Sequence, residues 1–305
     1  MNGLLSGRNQ KIAGLAAGFA ITICAMLASI VWGYVDTSWK NVIETLTNFS
    51  GATEHLVIRD LRIPRAFVGA SVGASLGIAG VLLQAITRNP LADTGIFGIN
   101  AGAAFFIVCA VTFFPLSSMN GFVWIAFLGA AVSGVAVYAL GSLGRNGLNP
   151  LKVTLAGAAV SATASSFTSG LLTVNEKSLQ EVLFWLTGSV EGRKMEMLLM
   201  VLPFMAVAWI GALLVAGQVN TLLLGEDAAK GLGQKTHLVK LCMGALIIVL
   251  AGSCVAIAGP IGFIGLIIPH LSRFLVGNDI RWVIPYSAFL GAILLLAADI
   301  AARFV

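Results

Sequence analysis

The chain has 305 residues, 58% of them hydrophobic and only 10% charged, with a formal net charge of +5. A water-soluble domain carries about 25% charged residues, so this composition excludes a soluble globular protein and points to a bilayer. Charges are sparse enough that the gaps between them mark candidate spans, because a spanning helix needs about 20 apolar residues.

Uncharged runs cover 12–35, 66–87, 94–144, 153–175, 197–225, 241–272 and 282–298. The first follows Arg8 and Lys11, as a signal peptide would, but it continues for 24 residues without a clear small-x-small cleavage site before Trp32. It predicts a first spanning helix. The third run is long enough for two spans, with PLSSMNG from Pro115 to Gly121 as the turn. The sixth holds one span and the start of another. The expectation is an all-α polytopic protein with nine transmembrane helices, the whole of 1–305 forming one membrane domain. Placing the N-terminus on the cytoplasmic side puts ten of the 18 basic residues at cytoplasmic ends, among them Arg8, Lys11, Arg88, Arg145, Arg273 and Arg281. That is a small surplus in the direction of the positive-inside rule.

In chain order, Arg59, Arg62 and Arg65 cluster before the second span, on the outer side in this topology, and Arg303 follows the last one. Two readings are open for them: snorkelling to lipid headgroups, or bidentate pairing with a partner's carboxylates. Gly69, Gly73 and Gly77, four residues apart in the second span, read as a helix-packing face. In the fifth span, 153–174, Ser161, Ser165 and Ser169 share one helical face. They read either as close packing or as the wall of a pathway. The stretch SLQEVLFWLTGS, 178–189, predicts a short amphipathic helix at the outer surface with Trp185 at the interface.

Residues 221–235 form the longest polar stretch between two spans. Leu222, Leu223, Leu224, Ala228, Ala229 and Leu232 supply apolar knobs, and Gly225, Gly231 and Gly233 predict two short helices. The loop is either a docking surface or an ordinary solvated connection. Beyond it, AGPIGFIGLIIPHLSR (258–273) is apolar yet carries two prolines and three glycines. Lipid cannot satisfy broken backbone, so breaks at Gly259, Pro260, Gly262, Gly265 and Pro269 must be buried in protein or line an aqueous cavity. His270 has no second ligand at metal-binding spacing and reads as a structural hydrogen-bonding group. Cys24, Cys109, Cys242 and Cys254 lie in apolar runs without a CxxC and read as small buried hydrophobes.

Five blocks of this sequence resemble the permease subunits of bacterial ABC importers for iron chelates and cobalamin, the FecCD type. They are Arg62-Ile63-Pro64-Arg65; Ala79-Gly80 to Gln84 with Asn89-Pro90-Leu91-Ala92; Leu224-Gly225-Glu226-Asp227-Ala228 to Leu232-Gly233; the 258–273 segment; and Ala298-Asp299 to Arg303. Two departures stand out. Thr94 occupies a position where the family usually has proline, and relatives generally continue past Val305 through a tenth helix.

The resemblance implies a type II importer fold and alternating access between two permease subunits. It assigns ATPase coupling to Leu224, Gly225, Glu226, Asp227, Ala228, Leu232 and Gly233, and docking of a substrate-binding protein to Arg62, Arg65 and Arg303. It places Ser161, Ser165 and Ser169 on the translocation path, and a gating helix at 178–189. An iron siderophore is the expected cargo, and the implied partners are ATPase subunits, a binding protein, a second permease and the bilayer; neither a cofactor nor nucleic acid is implied. The chain has no Walker A motif of its own, since Gly231-Leu232-Gly233-Gln234-Lys235-Thr236 puts Gln234 where glycine belongs. ATP hydrolysis therefore requires a separate subunit. An ion-coupled secondary transporter also uses broken helices, but it usually carries an ionisable residue within a span, and Arg273 and Asp299 stand only near span ends. An intramembrane protease lacks its GxSG serine here.

Overall fold

A computed structural model describes residues 3–33, 38–114, 118–143 and 149–304. Part of the turn expected at 115–121, together with Arg145 and Val305, lies outside the described residues. Among those described there are thirteen α-helices and no strand: α1 (Arg8–Val31), α2 (Trp39–Thr47), α3 (Thr53–Leu56), α4 (Ile63–Thr87), α5 (Ile99–Phe113), α6 (Met119–Ser142), α7 (Pro150–Val174), α8 (Glu176–Leu186), α9 (Met195–Leu223), α10 (Glu226–Gly231), α11 (Thr236–Ala258), α12 (Ile264–Val276) and α13 (Ile280–Ala301). A π-helical turn, Val57–Arg62, leads into α4, and a 3-10 turn, Thr94–Phe97, precedes α5.

Seven of the described helices are long and apolar enough to cross a membrane, and α5 and α12 are shorter apolar helices. At 1.5 Å per residue, the 15 residues of α5 and the 13 of α12 extend about 22 and 20 Å, short of a hydrocarbon core about 30 Å thick. Two of the nine segments expected to span are therefore too short to cross as helix alone. Each is preceded by a broken stretch, 88–98, which contains the 3-10 turn, before α5 and 259–263 before α12.

The centre of the bundle is α4, with 78% of its most apolar window buried against 17% for α1 and for α7. It packs against α13, α11, α12, α9 and α1. The four-residue glycine row makes this possible, as its spacing predicted. A Cβ on Gly73 would stand 2.3 Å from the Gly291 carbonyl oxygen, and one on Gly77 2.3 Å from that of Ser287. The backbones of α4 and α13 thus touch directly, the small-residue mode by which helices associate where lipid provides no hydrophobic drive.

The helix directions give the bundle two ends. At one, the C-termini of α1 and α13 meet the N-terminus of α4. At the other, the chain before α1 hydrogen-bonds to the end of α12, Leu5 N to Leu275 O at 2.8 Å. There the Asn220 amide at the foot of α9 donates to Asp279 at 2.6 Å, just before α13. The helix α10 and the start of α11 lie at this same end. Of the cysteines, only Cys254 is buried; Cys24 and Cys242 are exposed, and in a bilayer an apolar thiol can face lipid as readily as core.

Replacing Gly73 with Ala drives its methyl into the Gly291 backbone, which cannot rotate away. We expect a loss of at least about 2 kcal/mol and a fall of several degrees in Tm in detergent. Gly170→Ala on α7, with nothing within 4 Å of the added methyl, should leave Tm unchanged.

Candidate functional site: two broken segments and the two ends of the bundle

The chain between α11 and α12 leaves helical geometry at Gly259, with φ 72°. It resumes at Ile264, just after Phe263, a non-glycine residue at φ 69° that is 70% exposed. A side chain in the left-handed region costs about 1–2 kcal/mol, and such strain persists only where surroundings hold it. Here Asp93 holds it, accepting the Phe263 N–H at 3.3 Å. Gly265 lets the carboxylate in, since a Cβ there would lie 2.7 Å from Asp93 Oδ1.

Gly265 and Pro269, expected as break points, instead lie inside α12. The reason is a tertiary contact. Proline at 269 has no N–H for the carbonyl four residues earlier, and Gln84 of α4 supplies one: its Nε2 donates to Gly265 O and to Leu266 O, both at 3.2 Å. Arg273 Nη1 donates to Gln84 Oε1 at 2.6 Å, which orients the amide. A Cβ on Gly80, one turn before Gln84, would lie 2.1 Å from Gly265 O, so glycine is required for the approach. His270 Nδ1 hydrogen-bonds to Leu266 O at 3.0 Å, the structural role read from its isolation.

The segment before α5 is secured from α6 and α7. Ser133 Oγ donates to Gly98 O at 2.7 Å and Ser161 Oγ to Gly95 O at 3.4 Å. Ser161 stands 11 residues into α7, about 16 Å along a helix about 37 Å long, so the 3-10 turn sits near mid-depth. Thr94 opens that turn and is fully buried. The serine row therefore divides: Ser161 is half-buried against the turn, while Ser165 and Ser169 are exposed on the open face of α7, whose buried residues are Val153, Gly157, Ala164 and Thr168.

Among the described part of the 178–189 stretch, α8 ends at Leu186, and Trp185, expected at the interface, is buried at 5% exposure. The turn after α8 packs on the α11 terminus. Ser189 N donates to Ala258 O at 2.8 Å, and a Cβ on Gly188 would meet Pro260 O at 2.3 Å.

The arginine end is an internal network. Arg65 pairs bidentately with Asp299 (Nε at 2.9 and 3.0 Å, Nη2 at 2.8 Å) and lies 3.7 Å from exposed Glu191. Arg303 also contacts Asp299 and donates to Ser29 O and Trp32 O, both at 2.6 Å. Arg62, buried, donates to Ile30 O at 3.0 Å and Val31 O at 2.6 Å. The last carbonyls of α1, which have no donors of their own, are satisfied by two arginines. A cavity of about 410 Å3 opens beside them, lined by Arg62, Arg65, Arg303, Glu191 and Asp299. Arg59 stays exposed, its guanidinium 4.9 Å from the Phe49 ring centre.

At the other end, loop 221–235 contains one short helix, α10, where two were expected; α9 runs on to Leu223 and α11 begins at Thr236. Leu222 and Ala229 are buried, whereas Leu224 and Leu232 are 71% and 70% exposed. Gly225, at φ 124°, allows the turn into α10. Asp227 and Ala228 are exposed, as is Gly233. Glu226 is turned inward, with Oε2 2.6 Å from Lys240 Nζ of α11 and Oε1 3.3 Å from Lys230. The Lys240 hydrogen bond is the main force holding its carboxyl below its ordinary pKa of 4.5, against an opposing push from partial burial.

A bundle of long apolar helices interrupted by two broken segments, 88–98 and 259–263, that meet at Asp93 and Phe263 is that of a transport permease. The sequence model of the FecCD transport family matches residues 21–305, and the chain belongs to that family. It is 56% identical over 285 residues to the Probable siderophore transport system permease protein YfiZ of Bacillus subtilis, covering 93% of this chain and 86% of the relative. It is 42% identical over 273 residues to the Fe(3+)-citrate import system permease protein YfmD of the same organism, covering 90% and 81%. A solved inward-facing structure assigned to the metal-chelate type of ABC transporter superposes with a TM-score of 0.82 at 31% identity, covering 95% of this chain and 90% of that one. The protein is thus the multi-pass permease subunit of an ABC importer in the cytoplasmic membrane, a transport component rather than an enzyme, with ATP hydrolysis in a separate subunit.

Gln84→Leu keeps the volume but leaves the Gly265 carbonyl and Arg273 without their partner. We expect about 1–3 kcal/mol of destabilisation, read as a lower Tm, with faster hydrogen exchange confined to α12. The lowered Glu226 carboxyl contributes stability above its ordinary pKa, lost as pH falls through the lowered value. The hydrogen-exchange protection factor of 226–234, taken against the intrinsic rate at each pH, should hold at neutral pH and fall only below pH 4.5, whereas Glu226→Gln should already lower it at pH 7.

Proposed function

We propose that 1–305 forms one permease domain carrying an iron siderophore through a pathway shared with a second permease subunit. The observation that carries this reading is the meeting of the two re-entrant segments at Asp93 and Phe263, beside a helix whose open face presents Ser165 and Ser169. Backbone of this kind persists at membrane depth where it is buried in protein or lines a water-filled cavity, and the 70% exposure of Phe263 supports the second. Ser161 steadies the wall from behind. The names of the relatives, a siderophore permease and a ferric citrate permease, support an iron chelate as cargo.

The N-terminus lies on the cytoplasmic side in this reading, and α10 faces the ATPase. Leu224, Leu232 and Ala228 make the apolar contact, Gly225 and Gly233 shape the turns, Asp227 keeps the rim hydrated, and Glu226 anchors the element to α11. At the outer end, the cavity beside Arg62, Arg65 and Arg303 receives an acidic side chain of the binding protein. Asp299 neutralises one of three positive charges there, and exposed Glu191 is the group an incoming carboxylate would displace from Arg65.

Reconstitution with the ATPase subunits and binding protein tests this directly. Uptake of a ferric siderophore into vesicles should require ATP, while cobalamin and haem remain outside. Leu224→Asp should abolish uptake with membrane insertion intact. Arg59→Glu, which spares the buried network, should weaken capture of the binding protein about tenfold at low salt, where exposed charges act over about 10 Å. Transport of cobalamin in preference to the siderophore would overturn the cargo assignment, and full uptake by Leu224→Asp would remove α10 from coupling.

A further inference from the structure

At the end that carries α10, a cavity of about 510 Å3 opens between the first turns of α1 and of α13. Arg8, Lys11 and Arg281 line it, and none of them pairs with a carboxylate among the described residues. The acid at its rim, Asp279, is committed elsewhere, accepting the Arg281 backbone N–H at 3.0 Å and the Asn220 amide at 2.6 Å. Lys11 Nζ sits 5.7 Å over the Trp282 ring, an aromatic and a cation side by side as at a membrane headgroup layer. The opening therefore presents an excess of positive charge.

A second cavity of about 430 Å3 lies further along the same helices, with Pro285 lining both. Its walls are apolar: Ala70 and Ala74 from α4, Ala288 and Ala292 from α13, Met26 from α1 and Leu213 from α9. Across the two cavities, the lining residues of α1 are Lys11, Leu15, Thr22 and Met26, and those of α13 include Arg281, Pro285, Ala288 and Ala292. Steps of three, four and seven keep each set on one helical face, with Gly18 of α1 packed on Phe289 of α13 between the two groups of α1 residues. The 11 helical steps from Arg281 to Ala292 span about 16 Å, close to the roughly 15 Å of hydrocarbon in one leaflet.

The geometry points to a site for one anionic phospholipid of the cytoplasmic leaflet, its phosphodiester held by Arg8, Lys11 and Arg281 and one acyl chain lying in the groove between α1, α4 and α13. The charge selects the headgroup and the groove selects the chain. A zwitterionic lipid of the same chains brings an ammonium group that the three cations repel. A soluble phosphate brings the charge and leaves the apolar channel empty.

The test uses the delipidated full chain in neutral detergent, titrated with phosphatidylglycerol, with phosphatidylcholine of identical chains and with glycerol phosphate, and read by native mass spectrometry and Tm. One phosphatidylglycerol should be retained with about tenfold or greater preference over phosphatidylcholine, and only it should raise Tm. Combining Arg8→Gln, Lys11→Gln and Arg281→Gln should reduce that preference to near parity. Ala288→Trp, which fills the groove, should remove retention of both lipids. Equal retention of the two lipids by the wild-type chain overturns the proposal, as does a triple variant that keeps the preference. Stabilisation by glycerol phosphate equal to that by phosphatidylglycerol would make this a soluble-anion site and also overturns it. The wild-type comparison decides the matter even if a variant fails to fold.

Discussion

A single backbone carbonyl organises much of this molecule. Pro269 leaves Gly265 O without a donor inside α12, and in a membrane an unsatisfied group of this kind costs several kcal/mol. Gln84 of α4 reaches it at 3.2 Å only because Gly80 and Gly265 both lack side chains at the crossing. Arg273 then turns the amide the right way round. The central position of α4, its glycine row and the short length of α12 are parts of one solution: a helix with a proline in it can stand in the membrane if a buried neighbour completes its hydrogen bonds. Asp93 does the same for Phe263, so the strained segment is held from both sides.

The same accounting governs the arginine end, with a different outcome for recognition. The carbonyls that finish α1 need donors, and Arg62 and Arg303 provide them while Arg65 and Arg303 share Asp299. Removing Asp299 would leave cations in a buried setting, where the penalty for an uncompensated charge exceeds what the pair contributes. These arginines can meet a partner only through the side that faces the cavity. At α10 the arrangement differs: the charges of Glu226 and Lys240 are paired internally, and Leu224 and Leu232 are exposed beside Asp227 and Lys230. One end is suited to electrostatic recognition and the other to apolar contact.

Much of this was legible in the chain, in proportion to how local the signal was. Glycines four residues apart in an apolar run announce a packing face, and Gly259 with Pro260 announces the end of α11. Gly265 and Pro269 were read as breaks because their rescue comes from Gln84, 181 residues earlier in the sequence, and no local pattern reports it. The Arg65 to Asp299 pair spans 234 residues and was invisible for the same reason, although both residues sat in recognised motifs. Ser161, Ser165 and Ser169 share a helical face, but periodicity cannot tell that one rests on the 3-10 turn while the others stay open. Trp185 was placed at the interface by a general preference of tryptophan, and packing of the α8 end against the broken segment prevails over it. Cys24 and Cys242 face outward because lipid, unlike water, does not penalise an exposed thiol.

The tertiary ties give α11 a particular standing. At its first turns Lys240 grips Glu226 of α10 at 2.6 Å, and at its last residue Ala258 O accepts the Ser189 N–H at 2.8 Å. Between them run 23 residues, about 34 Å of helix with no internal proline. A straight helix fixed at both ends moves as a body; it cannot absorb a shift of one end without tilting or sliding the other. The strained chain at 259–263 lies just past the outer tie, where a change in φ and ψ requires no helical hydrogen bond to break. On the proposed reading, in which α10 meets the ATPase, α11 is the stiff element that would carry a displacement of α10 to the chain at 259–263, where helical geometry ends and Asp93 holds the backbone N–H of Phe263.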